Sequence, residues 1–153
     1  MENEEYQHQH QEIYQEVRAY YNKHSKLKTR NWISDIHDPS EDSNIVEVRF
    51  KNTRKEFFKN THGLRLQEGD VVAVESPTGH DIGLVSLTGF LARKQFERKI
   101  RKPKRYPFLA IYRHARPADI EKWREAKRRE YSVRTRAREL ARELGLHMKI
   151  SDV

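Results

Sequence analysis

Residues Val46–Gly89 read VEVRFKNTRKEFFKNTHGLRLQEGDVVAVESPTGHDIGLVSLTG. Runs rich in β-branched and aromatic residues alternate there with turn signals, which is the pattern of short strands joined by tight turns. We predict strands at Ile45–Phe50, Lys55–Asn60, Val71–Ser76 and Asp81–Leu87. This series favours a small antiparallel β-barrel of the SH3-like type.

The alternation within this stretch predicts which side chains form the core. Val46, Val48 and Phe50 share one face of the first strand. The two leucines of the loop Thr61–Asp70 are expected to point inward. Gly83 lies inside a strand, which indicates a bulge or a close approach of another stretch of backbone.

Helical patterns flank the barrel region, and the predicted fold class is therefore α+β. Apolar residues recur at helical spacing over Glu4–Tyr21, and the pattern predicts an N-terminal helix within residues 1–22. This helix packs on its own domain, binds a partner, or is disordered in isolation. The partner-binding interpretation involves Tyr6, Ile13, Val17 and Tyr20. A polar linker at 23–44 follows.

The C-terminal part of the chain is predicted to be one strand, one long helix and a second strand. The first strand is Pro107–His114, the helix runs from Arg116 to Gly145, and the terminal strand is LHMKISDV. The domain assignment is then a barrel at 45–114 with a basic insertion at 92–106. Residues 115–153, the long helix and terminal strand, form the start of a second α/β portion.

Charge is distributed unevenly, and this bears on the kind of partner. The net charge is +8; residues 1–44 carry 5 Lys and Arg against 9 Asp and Glu, whereas residues 45–153 carry 26 against 14. A basic body favours an anionic partner such as RNA, DNA or an acidic protein face. There is no apolar run of the roughly 18 residues that a membrane-spanning helix needs. The acidic N-terminus is unlike a signal peptide, so we expect a cytoplasmic protein.

The segment Phe90–Tyr106, FLARKQFERKIRKPKRY, carries the strongest functional signal. We expect it to loop outward and to be mobile because like charges at this density repel one another. Its phosphate contacts would make nucleic-acid binding dependent on salt, and Phe96 and Tyr106 could stack on unpaired bases. Docking of an acidic protein, or no role at all, are the alternatives. The candidate nucleic-acid-binding residues are Arg93, Lys94, Arg98, Lys99, Arg101, Lys102, Lys104 and Arg105.

The sequence contains no recognisable catalytic or metal-binding motif. His8 and His10 have no third ligand at close spacing, and His80 beside Asp81 has no nucleophile near it in the sequence. We expect Asp81 to cap backbone N–H groups of a turn and His80 to be exposed. The chain has no cysteine, which excludes thiolate metal ligands. We therefore predict a protein that is not an enzyme and holds no metal.

Several motifs in order resemble the bacterial RicT/YaaT-type proteins, whose shared C-terminal module is named after a yeast polymerase suppressor. They are VEVRFKN, KEFF, the L-x-L-x-x-GD-x-V-x-VE run at Leu64–Glu75, GHDIGLVSLTG at Gly79–Gly89, and RPADIEKW followed by a long helix and GLHMKISDV. The resemblance covers roughly Trp32 to Val153.

The resemblance implies a regulatory adaptor that modulates RNA processing or turnover through protein partners, with a ribonuclease as a candidate partner. A direct single-stranded RNA or DNA binding module is the alternative. The family carries a cysteine cluster that would begin where this chain stops, so we expect a piece of a longer protein or a variant that lacks the cluster. Without cysteine, the family's iron–sulfur cluster is not expected on these residues.

Overall fold

Residues 2–23 and 43–153 are described by the computed structural model, with side chains from residue 12 onward. The predicted linker at 23–44 therefore lies almost entirely outside the described residues. The chain divides into two compact units, Met1–Pro117 and Ala118–Val153. The helices and strands are α1 (Glu2–Lys23), β1 (Ile45–Arg49), β2 (Lys55–Lys59), β3 (Val71–Ser76), β4 (Gly79–Leu87), α2 (Gly89–Lys99), β5 (Leu109–His114) and α3 (Pro117–Glu143). Within the described ranges, none of the helices has the length and apolar content that crossing a membrane requires.

The first unit contains a closed barrel of five strands in the order β1-β2-β5-β3-β4. Its five strands agree with the predicted strands to within two residues at each end. The expectation of a purely antiparallel barrel is wrong, because β2 and β5 pair in parallel through Phe58 with Leu109 and Lys59 with Ala110. The reason is geometric: strand directions cannot alternate all the way around a ring with an odd number of strands.

The barrel interior is filled by the apolar residues that the alternation predicts. Its core consists of Val46, Val48, Phe50, Phe58, Val72, Val74, Val85 and Ile111, with Leu64, Leu66 and Leu109 packed against it. The close approach at Gly83 is made by side chains of the core, whereas the prediction was a bulge or a backbone approach. A Cβ placed there would lie 2.3 Å from Val48 Cγ1 and 2.8 Å from Phe50 Cε1. A larger residue at this position would therefore displace the core.

Helix α1 lies against β3 and β4 of the barrel. Val17 and Tyr21 are buried, and so are the residues of β3 and β4 that alternate with the barrel core and point outward. Three side chains also donate hydrogen bonds to barrel carbonyls. The contacts run from Tyr14 Oη to Ala115 O (2.7 Å), Arg18 Nε to Gly69 O (2.8 Å) and Tyr21 Oη to Ile82 O (2.6 Å). The second half of α1 is thus part of the folded unit.

The basic segment is folded, and the prediction of an outward loop is wrong. Gly89–Lys99 forms α2, and Pro103–Arg105 forms one turn of 3₁₀ helix. Ala92 and Phe96, one turn apart, are buried on the inner face of α2. The high charge density of the segment suggested that repulsion between the cations would prevent folding. Burial of this apolar pair offsets that repulsion.

The second unit consists of almost all of α3 and the residues that follow it. The helix ends within two residues of the predicted boundary, and Gly145 adopts the left-handed conformation (φ 66°) expected of a residue just past a helix end. The predicted terminal strand LHMKISDV is wrong, because residues 146–153 form no strand. Alternation alone does not make a strand without a neighbour, and two hydrogen bonds link this tail to α3. They join Leu146 N to Ala141 O (2.9 Å) and Arg138 Nε to Ile150 O (2.8 Å).

Candidate nucleic-acid interface

All eight predicted nucleic-acid-binding cations lie on α2 or in the short segment after it. Arg98 and Lys99 occupy the last turn of α2, where positive charge complements the helix dipole. Arg93 is partly buried, and the other seven are exposed. The structure therefore places these residues along α2, with Arg93 and Lys94 in its middle, and in the segment that follows the helix.

Three of the eight cations are close to carboxylates. Arg93 Nε and Lys94 Nζ lie 4.0 and 3.5 Å from the carboxylate of Glu97, and Lys99 Nζ lies 3.2 Å from Glu47 Oε2. The other five side chains make no hydrogen bond or ion pair with any described residue, and we call them the basic surface. They are Arg98, Arg101, Lys102, Lys104 and Arg105. Their charge is available to an external anion.

A buried carboxylate beneath α2 holds the helix against the barrel. Glu47 of β1 is 0% exposed, and its Oε1 accepts hydrogen bonds from Lys55 Nζ (3.0 Å) and Ser86 Oγ (2.8 Å). Lys55 Nζ also donates to Ser86 Oγ (3.1 Å), and Lys99 Nζ of α2 donates to Glu47 Oε2 (3.2 Å). This network ties the last turn of α2 to three strands, β1, β2 and β4.

The network keeps Glu47 charged despite its burial. Burial alone would raise the pKa of this carboxyl group. Hydrogen bonds from Lys55 and Ser86, together with the positive charges of Lys55 and Lys99, outweigh that effect and lower the pKa of Glu47 below its ordinary value of 4.5. The Glu47 carboxylate is therefore a fixed negative charge at neutral pH, and it positions Lys99.

An aromatic cluster fixes the middle and the C-terminal end of the basic segment Phe90–Tyr106 to the barrel. Phe96 lies 5.3 Å from Phe57, 5.3 Å from Tyr106 and 4.9 Å from Phe108, measured between ring centroids. The N–H of Phe57 donates to Tyr106 Oη at 3.2 Å. Phe96 is only 5% exposed, so the expected stacking of Phe96 on a base does not fit this structure. Tyr106 and Phe108 remain partly exposed, with Lys59 Nζ 5.1 Å from the centroid of Phe108.

The predicted partner-binding residues of α1 lie in different environments. Val17 is fully buried within this chain, and Ile13 and Tyr20 are partly buried. The side chain of Tyr6 lies outside the described part of the structure. Val17 cannot touch a partner while α1 lies against the barrel, whereas the outer positions Glu12, Gln15, Glu16 and Ala19 are exposed.

Sequence reasoning missed the residues that anchor α2. Glu47 alternates with the core residues Val46 and Val48, and such a position in a barrel strand ordinarily faces solvent. Here α2 covers it. The signal that could have found the pair is an acidic residue between two valines of a strand, followed eight residues later by Lys55.

The remaining polar candidates form ordinary surface contacts. Asp81 Oδ1 accepts a hydrogen bond from the N–H of Ile82 (2.8 Å), its Oδ2 pairs with Arg54 (2.8 Å), and His80 is exposed. Asp81 therefore accepts one backbone N–H, from the next residue of β4, and the predicted capping of several N–H groups of a turn is wrong. In the parts of the chain that the structure describes, no three His, Cys, Asp or Glu residues are grouped so as to hold a metal ion. The side chains of His8 and His10 lie outside those parts.

A family model supports the resemblance over the C-terminal part of the chain. Residues 109–153 match the PSP1 C-terminal conserved region. The match covers β5, α3 and the tail, and it is consistent with a protein of the RicT/YaaT type. Comparisons with curated proteins and with solved structures gave no match. A PSP1 region suggests a member of a regulatory family.

Proposed function

We propose that this chain is a non-enzymatic, cytoplasmic regulatory module of RNA processing that contacts single-stranded RNA through the basic surface. The observation that carries the proposal is the set of five exposed cations, within eight consecutive residues, that have no carboxylate partner among the described residues. The match of residues 109–153 to the PSP1 region agrees with a regulatory role.

Phosphate contacts are the interaction that this surface can make. Each phosphate neutralised by Lys or Arg releases condensed counterions, and this release supplies binding free energy that does not depend on sequence. Phe96 is buried, and the ring of Tyr106 packs against it in the aromatic cluster. We therefore expect recognition of the backbone, with little preference among bases.

An adaptor that works through protein partners is the second candidate. The exposed apolar side chains of the second unit favour it, since large apolar residues at a surface are a common sign of protein interaction. The two candidates use different residues, so one chain can carry out both roles.

The proposal is tested by two triple variants with the same change in charge. Arg101→Gln, Lys102→Gln and Lys104→Gln together remove three cations of the basic surface. Arg124→Gln, Arg129→Gln and Arg136→Gln together remove three cations of α3 that each pair with a neighbouring glutamate. Circular dichroism of both variants checks that the fold is retained.

Binding of a fluorescent single-stranded RNA is then measured by anisotropy in 50 mM salt. The first variant is expected to bind at least tenfold more weakly than the unchanged chain, and the second to stay within about twofold. Absence of RNA binding by the unchanged chain at this salt concentration would reject direct RNA contact. It would leave an acidic protein as the partner of the basic surface.

A further inference from the structure

One strip of the barrel surface lies between α1 and α2. Helix α1 contacts β3 and β4, whereas α2 contacts β1 and places Phe96 against Phe57 of β2. The barrel order β1-β2-β5-β3-β4 puts β5 between β2 and β3, and therefore between the strands that the two helices contact. The outer face of β5 thus forms the floor of a strip that the two helices flank.

Alternation along β5 decides which side chains point into this strip. Ile111 is part of the barrel core, and Leu109 packs against the core. Residues two apart share a face of a strand, so the residue between these two and those on either side of them point outward. The neighbouring strand β2 contributes Lys59, which pairs with Ala110 and follows the core residue Phe58. We call the four outward residues the β5 strip; they are Lys59, Phe108, Ala110 and Tyr112.

Tyr112 is the aromatic ring of the β5 strip that is free to contact another molecule. It is 42% exposed, and no other large hydrophobic side chain among the described residues of the first unit is exposed to this degree. Its side chain makes no hydrogen bond and no ring contact with any described residue. Phe108 is less exposed, and its ring centroid lies 4.9 Å from that of Phe96 and 4.8 Å from that of Tyr106. Stacking of a planar ligand group is therefore open to Tyr112.

A cation accompanies the aromatic side chains of the β5 strip. Lys59 is exposed and makes no ion pair with any described residue, and its Nζ lies 5.1 Å from the ring centroid of Phe108. The carboxylate of Glu75, on the neighbouring strand β3, is partly buried and accepts a hydrogen bond from the N–H of Ala110 at 2.9 Å. Exposed cations beside an exposed aromatic ring are the combination by which proteins bind single-stranded nucleic acid.

The β5 strip continues the basic surface. Phe108 contacts Tyr106, which directly follows Arg105 of the basic surface in the chain. From Phe108 to Tyr112 the chain extends over about 13 Å, at about 3.3 Å per residue. A single strand whose phosphates contact the basic surface therefore reaches Tyr112 by following β5.

We infer that the RNA proposed to contact the basic surface continues along the β5 strip and stacks an unpaired base on Tyr112. The inference rests on the proposed function, and it supplies the base contact that the buried ring of Phe96 cannot make. Every base has a π face, so stacking on an aromatic side chain raises affinity without selecting a sequence. Tyr112 is thus a binding residue outside the basic segment Phe90–Tyr106.

The test compares a ligand that has bases with one that has only phosphates. The ligands are a fluorescent single-stranded RNA of about 12 nucleotides and an inorganic polyphosphate of similar length. Affinities of the full chain are measured in about 50 mM salt, by anisotropy for RNA and by calorimetry for polyphosphate. Tyr112→Ala is expected to weaken RNA binding about tenfold and to leave polyphosphate binding within about twofold. Tyr112→Phe keeps the ring and is expected to bind RNA as tightly as the unchanged chain.

Two control variants accompany these measurements. Tyr131→Ala removes a tyrosine of α3 that is 72% exposed, and both affinities are expected to stay within about twofold. The triple variant Arg101→Gln, Lys102→Gln and Lys104→Gln is expected to weaken both ligands, because it removes phosphate contacts. Circular dichroism checks that each variant keeps its fold.

Two results would overturn the inference and leave the proposed function in place. One is native RNA affinity of Tyr112→Ala while the triple variant still binds RNA more weakly. The other is equal weakening of RNA and polyphosphate by Tyr112→Ala, which would show that Tyr112 supports the surface and does not stack on a base. Absence of RNA binding by the unchanged chain would instead reject the proposed function, and the stacking contact with it.

Discussion

Replacing Glu47 by glutamine is expected to destabilise the protein by removing the charge at the centre of the network beneath α2. Glutamine has nearly the same shape and can still accept a hydrogen bond from Ser86 Oγ, which lies 2.8 Å from Oε1 in the native protein. What the variant loses is the attraction to Lys55 and Lys99, whose Nζ atoms lie 3.0 and 3.2 Å from the carboxylate.

The size of the loss in unfolding free energy follows from how deeply Glu47, Lys55 and Lys99 are buried. Removing one member of a fully buried ion pair costs about 3–5 kcal/mol because the other charge is left without water. Here Glu47 is 0% exposed, but the side chain of Lys55 is 15% exposed and that of Lys99 is 44% exposed, so both cations can regain hydration. The contribution of Lys99 is further reduced by solvent screening. We therefore expect a loss of about 2 kcal/mol in the free energy of unfolding, which corresponds to roughly 6 °C in Tm for a chain of this length.

The pH dependence provides a second check on the same residue. The folded-state pKa of Glu47 lies below its ordinary value of 4.5. The stabilisation it provides is complete above the unfolded-state pKa and is lost as pH falls through the lowered folded-state pKa. The difference in stability between the native chain and Glu47→Gln should thus be full at pH 7 and shrink as pH falls below about 4.5.

Urea unfolding followed by circular dichroism measures the loss in unfolding free energy and its dependence on pH. Glu56→Gln is the matched control, because Glu56 also pairs with a cation, Arg54 at 3.1 Å, but both side chains are at least 38% exposed. The control is expected to change stability by less than about 0.5 kcal/mol. Equal stabilities of Glu47→Gln and the native chain at pH 7, or a difference that does not change with pH, would refute this account of the network.

Two other substitutions probe the barrel and the attachment of α1. Gly83→Ala places a Cβ 2.3 Å from Val48 Cγ1 and should lower the free energy of unfolding by about 1–3 kcal/mol in urea titrations; an unchanged midpoint would contradict the close approach. Tyr21→Phe removes the hydrogen bond to Ile82 O and should cost about 1 kcal/mol, with faster amide hydrogen exchange in the second half of α1; native exchange rates there would show that this bond does not hold the helix.

Local patterns in the sequence were enough to predict the strands, the two longer helices and the barrel core. The alternation of Val46, Val48 and Phe50 and the apolar run Val71–Ser76 each correspond to what the structure contains. These features depend on residues close together in the chain, which is why patterns of period two and 3.6 reveal them.

The errors all concern contacts between distant residues. The density of cations in Phe90–Tyr106 favoured a loop over a helix in the prediction. The helix forms because Ala92 and Phe96 are buried, and their burial depends on the barrel surface beneath α2. The parallel pairing of β2 with β5 follows from ring closure, and Glu47 becomes buried only because α2 covers β1. LHMKISDV has the alternation of a strand but no neighbouring strand in the described structure. The position of the basic surface in the sequence could therefore be predicted, whereas the packing of α2 on the barrel and the burial of Glu47 beneath it could not.

The salt dependence of RNA affinity tests the central claim most directly. If all five cations of the basic surface contact phosphates, log K should fall with log salt concentration with a slope near −3.5 for single strands, at about 0.7 per contact. Affinity would then decrease about 100-fold between 50 and 200 mM salt. Anisotropy titrations of the unchanged chain with poly(U) and poly(A) oligonucleotides should give this slope, and similar affinities for both. A slope near zero, or a strong preference for one base, would contradict binding of the RNA backbone by the basic surface.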